Sequence, residues 1–216
     1  MSLKEQLAEI KAQSGQRIPE DARKVMDAEL ERLIESGLAN RAPKAGETLP
    51  AFTLPNQNGI PISLEDILKN GPAVIVFYRG GWCPYCNLEL RAYQEALGEI
   101  KGRGATLAAI SPEMPDSSIS TAERNGLAFE VLSDPGSRYA RDIGIAFSLS
   151  DELRAIYDKF GLELEKHNGP GRFTLPLPAT FVVDSDGVIV YAFADADYTV
   201  RAEPAEVLDA LDKLGR

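Results

Sequence analysis

The sequence has few of the residues that usually hold metals or build catalytic triads. Its 216 residues include only two cysteines and one histidine, His167. A structural zinc site needs four ligands, so this set argues against a metal within one chain. The same scarcity argues against a Ser-His-Asp or Cys-His catalytic set. We expect neither a metal nor a bound cofactor.

Long apolar runs and an excess of basic residues are also missing. No stretch approaches the ~20 apolar residues that span a bilayer, and the charged residues 1–10 do not resemble a secretory signal. With 33 acidic against 23 basic residues, the formal net charge is -10, which repels nucleic acid and anionic membranes. We therefore expect a cytoplasmic protein with neither nucleic acid nor membrane as partner. Thiols stay reduced there, so closely spaced cysteines indicate catalysis or metal binding more than a structural disulfide.

The first 40 residues predict two helices that lie outside the main domain. Apolar residues recur at helical spacing on both sides of a break at Gly15, Pro19 starts the second helix, and Gly37 ends it. We divide the chain into a helical extension, residues 1–40, and a main domain, residues 41–216. The apolar stripes predict either docking on the main domain or a homodimer contact.

The main domain alternates strand and helix patterns. A buried apolar strand at 73–78, a helix from 84 to 100 and a strand at 106–110 predict a parallel unit with a right-handed crossover. Further strands are predicted at 52–54, 60–62, 129–132, 181–183 and 188–191, and further helices at 64–69, 117–124, 138–142, 151–160 and 203–214. The pattern predicts an α/β domain in which helices flank a central mixed sheet.

The cysteine motif, GGWCPYC, lies between a buried strand and a helix. Cys83 is expected near the N-cap, Pro84 suits the first helical position, and Cys86 follows about one turn later. Unpaired N–H groups and the helix dipole favour a thiolate there, which can lower a cysteine pKa from ~8.5 to between ~3.5 and ~7.5. Inert core cysteines are the alternative, but the strand–CxxC–helix context favours redox chemistry.

Several segments carry a family resemblance. They are PAFTL at 50–54, VFYR at 76–79, CNLE at 86–89, LSDP at 132–135 and ATFVVD at 179–184. Over about residues 43–194 the chain resembles the alkyl hydroperoxide reductase and thiol-specific antioxidant family, peroxiredoxin-like members of the thioredoxin superfamily. The resemblance implies a thioredoxin-like fold and an antioxidant thiol peroxidase.

The chain departs from that family at the site itself. Peroxiredoxins usually have a threonine three residues before the attacking cysteine and a proline seven before, where this chain has Cys83 and Arg79. Pro178 replaces the family's arginine. A proline at that place is typical of thioredoxins, where its peptide bond is cis and its ring lies against the cysteine pair. We expect the same of Pro178.

The two resemblances assign the cysteines differently. By similarity to thioredoxins Cys83 attacks and Cys86 resolves, whereas similarity to peroxiredoxins makes Cys86 the attacking thiol. Because a small peroxide can reach a recessed sulfur, the sequence favours Cys86 for peroxide. Arg79 either stabilises a thiolate or oxyanion or is an exposed charge at the end of a strand. Glu89 matches the family's acid or is a favourable carboxylate near the helix start, and Trp82 is expected to cover the pair.

Three functions are compatible with these residues. The first is a thiol-dependent peroxidase, in which a sulfenic acid condenses to a Cys83–Cys86 disulfide that a thioredoxin-type dithiol or glutathione reduces. The second is a thioredoxin-type oxidoreductase that acts on protein or small-molecule disulfides. The third is a redox-sensing module whose cysteine pair controls partner binding through the N-terminal helices.

Overall fold

The structure, a computed structural model, describes residues 1–215 apart from the side chain of Gln16. The helices are α1 (Leu3–Arg17), α2 (Glu20–Glu35), α3 (Leu64–Leu68), α4 (Pro84–Gly102), α5 (Pro115–Asn125), α6 (Arg138–Asp142), α7 (Asp151–Lys159), α8 (Leu164–Asn168) and α9 (Pro204–Leu214), with a 3-10 helix at Leu38–Arg41. The strands are β1 (Thr53–Pro55), β2 (Pro61–Ser63), β3 (Ala73–Phe77), β4 (Thr106–Ser111), β5 (Glu130–Ser133), β6 (Ala146–Ser148), β7 (Thr174–Pro176), β8 (Ala179–Val183) and β9 (Ile189–Ala194).

The central sheet has five strands in the order β5-β4-β3-β8-β9. β3 runs parallel to β4 and antiparallel to β8, while β4 is parallel to β5 and β8 antiparallel to β9. The predicted mixed sheet and parallel β3–α4–β4 unit are therefore confirmed. Two short two-stranded antiparallel sheets, β1–β2 and β6–β7, lie outside this sheet, and the sequence pattern predicted only the first.

β3 lies at the centre of the sheet and is buried on both faces. Val74 and Val76 join one apolar cluster, which includes residues of α1, α4 and α9. Ile75 and Phe77 join a second cluster on the opposite face, with residues of α3 and α6. This alternation follows from the two-residue period of a strand. The strand's carboxyl end therefore leads directly from the core into the cysteine motif.

The N-terminal helices pack on the main domain. Leu3 and Leu7 are 3% and 4% exposed and belong to the same cluster as residues of α4, which confirms docking for α1. The predicted break at Gly15 is wrong: α1 continues to Arg17, and the chain turns extended at Ile18 because Pro19 disfavours a helical residue before it. Among residues 1–215, every helix is too short or too polar to span a lipid bilayer.

Candidate functional site

The cysteine pair occupies the start of α4. Cys83 is the N-cap, with extended backbone angles, and Pro84 is the first helical residue, as predicted. The Asn87 N–H donates to the Cys83 carbonyl at 3.1 Å, so the first turn is closed. Cys86 lies in that turn, one helical turn beyond Cys83. Both cysteines are free thiols.

Two glycines make room for this turn. Gly80 has a φ of +152°, and a Cβ there would lie 2.2 Å from Nε1 of Trp82. A Cβ on Gly81 would lie 2.0 Å from Oγ1 of Thr121, which is tighter than any packed contact. The Thr121 hydroxyl donates to the buried carboxylate of Glu113 at 3.2 Å. The motif therefore needs glycine at both positions.

The two sulfurs have different access to the outside. Both are buried, Cys83 at 2% exposure and Cys86 at 0%. Cys83 lies in the wall of a cavity of about 560 Å³ that is also lined by the N-terminal helices. Cys86 is not part of that wall and lies deeper in the core cluster. A molecule that enters this cavity therefore meets Cys83 first.

Arg201 holds the deeper thiol. Its Nη2 donates to Sγ of Cys86 at 3.3 Å, and its Nε donates to Oε2 of Glu89 at 2.6 Å. Its Nη1 donates to the carbonyls of Tyr198 and Val200, so the guanidinium is fixed by four partners. Sequence reasoning missed this residue, because nothing local to the loop between β9 and α9 marks it as part of the site.

Glu89 is fully buried rather than placed at the start of the helix. It lies in the second turn of α4 with 0% exposure, and its Oε1 has no hydrogen-bond partner among the described residues. Burial raises the pKa of Glu89 to about 8, although the ion pair with Arg201 acts in the opposite direction. The pair supports the resemblance-based role for Glu89 as part of the site over the alternative of a helix-start carboxylate.

Arg79 is a second buried cation beside the pair. It is 4% exposed, so the alternative of an exposed charge is wrong. Its Nη2 donates to the Tyr157 hydroxyl at 2.6 Å. The guanidinium carbon lies 4.9 Å from the ring centroid of Trp82 and 4.5 Å from that of Tyr198. Trp82 therefore covers Arg79 and packs against the cluster that contains both cysteines.

The charges around the sulfurs shift the two thiols in opposite directions. Burial alone would raise the pKa of Cys83, but the hydrogen bond from Cys86 and the nearby Arg79 and Arg201 together lower that pKa to about 6. Burial, the same hydrogen bond and the negative Cys83 thiolate raise the pKa of Cys86 well above its usual range. These shifts make Cys83 the more acidic of the two thiols, with Cys86 as its hydrogen-bond donor.

The predicted cis bond at Pro178 is wrong, because the described chain contains no cis peptide. The residues on both sides of this bond form backbone hydrogen bonds. The Leu177 N–H donates to the Ile145 carbonyl at 2.8 Å, and the Pro178 carbonyl accepts from the Asp195 N–H at 3.2 Å. An extended trans chain therefore leads into β8. Pro178 does lie near the site, in the wall of a cavity of about 30 Å³ that Arg79 also lines.

A mixed sheet of this topology, with a reduced cysteine pair at a helix N-terminus and two buried arginines, defines a thiol oxidoreductase of thioredoxin-like fold. Comparison with known proteins narrows the class. Residues 45–192 match the profile of the AhpC/TSA family. The chain belongs to this family.

Relatives and solved structures agree with that membership. The chain is 29% identical to peroxiredoxin Q, chloroplastic, of Sedum lineare, over 78% of this chain and 76% of that protein. A second relative, peroxiredoxin Q of Populus jackii, is 30% identical over 78% and 66%. The crystal structure of peroxidoxin BcpB from Mycobacterium tuberculosis superposes with a TM-score of 0.63 at 23% identity, covering 79% of this chain and 97% of that one. With its adjacent thiols, the protein is a thiol-dependent peroxidase that uses a hydroperoxide and a thiol reductant.

Proposed function

We propose that Cys83 is the thiol that attacks the hydroperoxide and that Cys86 resolves the product within the same chain. The observation that carries this assignment is the difference between the two sulfurs. Cys83 lines the cavity and its pKa is lowered to about 6, whereas Cys86 lies behind it and its pKa is raised. The thiolate is the nucleophilic form of cysteine, so access and ionisation favour the same residue.

The first step transfers one oxygen atom. The Cys83 thiolate attacks the outer oxygen of ROOH, a sulfur–oxygen bond forms, and the O–O bond breaks. The thiolate becomes a sulfenic acid, and the departing alkoxide takes up a proton and leaves as ROH. The Arg79 guanidinium, fixed by Tyr157 and by two aromatic rings, supplies positive charge beside the thiolate and the developing alkoxide.

The second step joins the two cysteines. The Cys86 sulfur attacks Sγ of Cys83, a disulfide forms, and the S–O bond breaks, so that the sulfenic hydroxyl takes up the thiol proton and leaves as water. Arg201, 3.3 Å from the Cys86 sulfur, stabilises the anionic form that this attack requires. An external thiol of the thioredoxin or glutathione type then reduces the disulfide.

The reverse assignment follows from the resemblance to peroxiredoxins. It makes Cys86 the attacking thiol, and the hydrogen bond from Arg201 supports it, because a cation next to a sulfur favours its thiolate. The position of Cys83 between Cys86 and the cavity argues against Cys86 as the attacking thiol. The prediction that Cys86 attacks first therefore competes with the proposal, and single-cysteine variants decide between them.

A thioredoxin-type disulfide oxidoreductase is the second candidate, which the CxxC motif at a helix N-terminus favours. Its substrate is a disulfide carried by a bulky molecule. The 2% exposure of Cys83 at the wall of a cavity under α1 and α2 disfavours such a substrate. A hydroperoxide, in contrast, carries its reactive oxygen at the end of the molecule and can reach a buried sulfur.

We further propose a cytoplasmic location, since both cysteines are free and the cytoplasm keeps thiols reduced. A homodimer is proposed through α2, where Ile34 remains 55% exposed. Isolated exposed apolar residues are common on monomers, so light scattering is the measurement that tests this part.

Oxidation with one equivalent of hydroperoxide tests the central proposal. Both thiols should disappear from a thiol titration, and the intact mass should fall by two hydrogen atoms. A product with one free thiol and one sulfinic acid would contradict the resolving role of the second cysteine. Parallel steady-state assays with a hydroperoxide and with a model disulfide separate the peroxidase from the disulfide oxidoreductase.

A further inference from the structure

The cavity beside Cys83 is far larger than hydrogen peroxide requires. Its volume is about 560 Å³, which falls in the ~300–1,000 Å³ range of sites for small organic ligands. A molecule of the size of water or hydrogen peroxide needs only about 30 Å³. The cavity volume therefore fits a reactant that carries a large organic group.

The N-terminal helices form one side of this cavity. Gly15 near the end of α1, Ile18 between the helices and Met26 of α2 all contribute to its wall. These residues precede the segment 45–192 that matches the family profile. This side of the cavity is thus an addition to the family core, and the cysteine motif lines the same cavity.

The wall opposite the helices is aromatic and apolar. Trp82, Tyr85 and Tyr157 come from the cysteine motif and α7, and Phe160, just after α7, is 48% exposed at the cavity. Aromatic rings offer large contact areas to an apolar partner. Phe160 adds exposed apolar area to this wall.

The charges at the cavity cancel when Asp197, the ion-pair partner of Lys11 beside the lining residues, is counted. Lys11 forms an ion pair with Asp197 at 3.0 Å. Arg23 and Asp27, both exposed and both on α2, carry opposite signs. The buried Arg79 faces the Cys83 thiolate. With no net charge left over in this wall, an uncharged ligand is favoured over an anionic one.

From these observations we infer that α1 and α2 are a specificity element that selects uncharged organic hydroperoxides with a bulky apolar body over hydrogen peroxide. The inference rests on the proposed function, in which Cys83 attacks the outer oxygen. The apolar body occupies the cavity between the helices and the aromatic wall, and the hydroperoxide group reaches the sulfur. After the O–O bond breaks, the alcohol that carries the same body is the product released from the cavity.

Filling the cavity from α1 tests the inference. A Cβ on Gly15 would meet nothing within 4 Å, so Gly15→Phe adds a ring to the cavity wall without a backbone clash. Gly98→Phe is the matched control, because Gly98 is a helical glycine of α4 with equally open surroundings and is exposed outside the cavity. Purified proteins are assayed for kcat/KM with cumene hydroperoxide and with hydrogen peroxide.

The expected result is a change in preference. The wild type and Gly98→Phe should favour cumene hydroperoxide. Gly15→Phe should lower the ratio of the two kcat/KM values by about tenfold or more, the scale at which pocket shape discriminates between apolar substrates. An equal loss for both peroxides, or an unchanged ratio, would overturn the inference.

A binding measurement on the wild type needs no turnover. Trp82 is the single tryptophan of the chain and lies in the cavity wall, so its fluorescence reports occupancy. Titration with 2-phenyl-2-propanol, the alcohol product of cumene hydroperoxide, should give a saturable change that Gly15→Phe weakens. Absence of any change in the wild type would overturn the inference, even if Gly15→Phe failed to fold. Failure of every hydroperoxide to turn over would instead contradict the proposed function, while this titration still reports on the cavity.

Discussion

Arg201 and Cys86 are 115 positions apart in the chain, yet Nη2 of the arginine donates to the cysteine sulfur at 3.3 Å. The same guanidinium forms an ion pair with Glu89 in which both side chains are fully buried. Arg201, on the loop between β9 and α9, thus links the thiol of Cys86 to the buried carboxylate of Glu89 on α4.

Arg201→Met should destabilise the protein strongly. It leaves the buried Glu89 carboxyl without its hydrogen-bond donor, and an unsatisfied buried polar group costs about 1–3 kcal/mol. The double variant Arg201→Met with Glu89→Leu should recover much of that loss, because both charges are then replaced by apolar groups. The free energy of unfolding in urea measures the effect.

Lys24→Met is the control for this series. Its ion pair with Glu20 is largely exposed, so its removal should cost no more than about 0.5 kcal/mol. If the double variant proves as unstable as Arg201→Met alone, the instability comes from lost packing rather than from the unpaired carboxylate.

Single-cysteine variants decide which sulfur attacks first. Cys86→Ser should keep one rapid oxidation by hydroperoxide and lose turnover, since Cys83 still faces the cavity. Cys83→Ser should lose the rapid step by about 100-fold or more, because the remaining thiol is fully buried and does not line the cavity. Stopped-flow oxidation with dimedone trapping of the sulfenic acid measures both. Rapid oxidation in Cys83→Ser alone would support the opposite assignment, with Cys86 as the attacking residue.

Thiol reactivity should depend on pH through the lowered pKa of Cys83. In Cys86→Ser, which retains a hydroxyl donor next to Cys83, the rate of alkylation by iodoacetamide should rise with pH with a midpoint at about 6. The alkylation rate rises with pH because the thiolate is the reactive form. Adding Arg79→Gln should move the midpoint to higher pH, since one cation that lowers this pKa is removed.

Arg103→Gln provides the matched control for that change. Arg103 follows the other end of α4, about 30 Å away along a helix of this length, so the midpoint should stay at about 6. A midpoint that moves equally in both variants would mean that net charge, rather than the position of Arg79, sets the reactivity.

Because α1 packs on the main domain, we expect truncation of Leu7 and of Ile34 to have different effects on the free energy of unfolding. Leu7 is 4% exposed in the core cluster and Ile34 is 55% exposed on α2. Leu7→Ala should lower the free energy of unfolding by about 2–5 kcal/mol. Ile34→Ala should change it by less than about 0.5 kcal/mol in a monomer. A large, concentration-dependent loss in Ile34→Ala would indicate that α2 is buried in a dimer.

Much of the fold was predictable because its signals are local. The five apolar residues of β3 and the proline at the first position of α4 indicate those elements from the sequence alone. The capping box between Ser63 and Asp66 likewise predicted the start of α3. The strands β6 and β7 are as short as β1 and β2, but α7 and α8 lie between them in the chain, so no tight turn signals their pairing.

The site was predictable only in part. The cysteines and Arg79 are adjacent to one strand end, so a motif places them. Arg201 reaches the site through tertiary packing, which no spacing in the sequence encodes. At Pro178 the predicted isomer is wrong, because hydrogen bonds on both sides of the bond decide the backbone path. The contact of its ring with the cysteine pair stays a prediction.

The contact between Gly81 and Thr121 has a consequence for sequence divergence. Since a Cβ at position 81 would overlap the threonine hydroxyl, the effects of changes at the two positions are not additive. A homologue that gains a side chain at position 81 must carry a smaller residue at position 121, and it then loses a donor to Glu113. We therefore expect substitutions at these two positions to be coupled, which links α5 to the peroxide site.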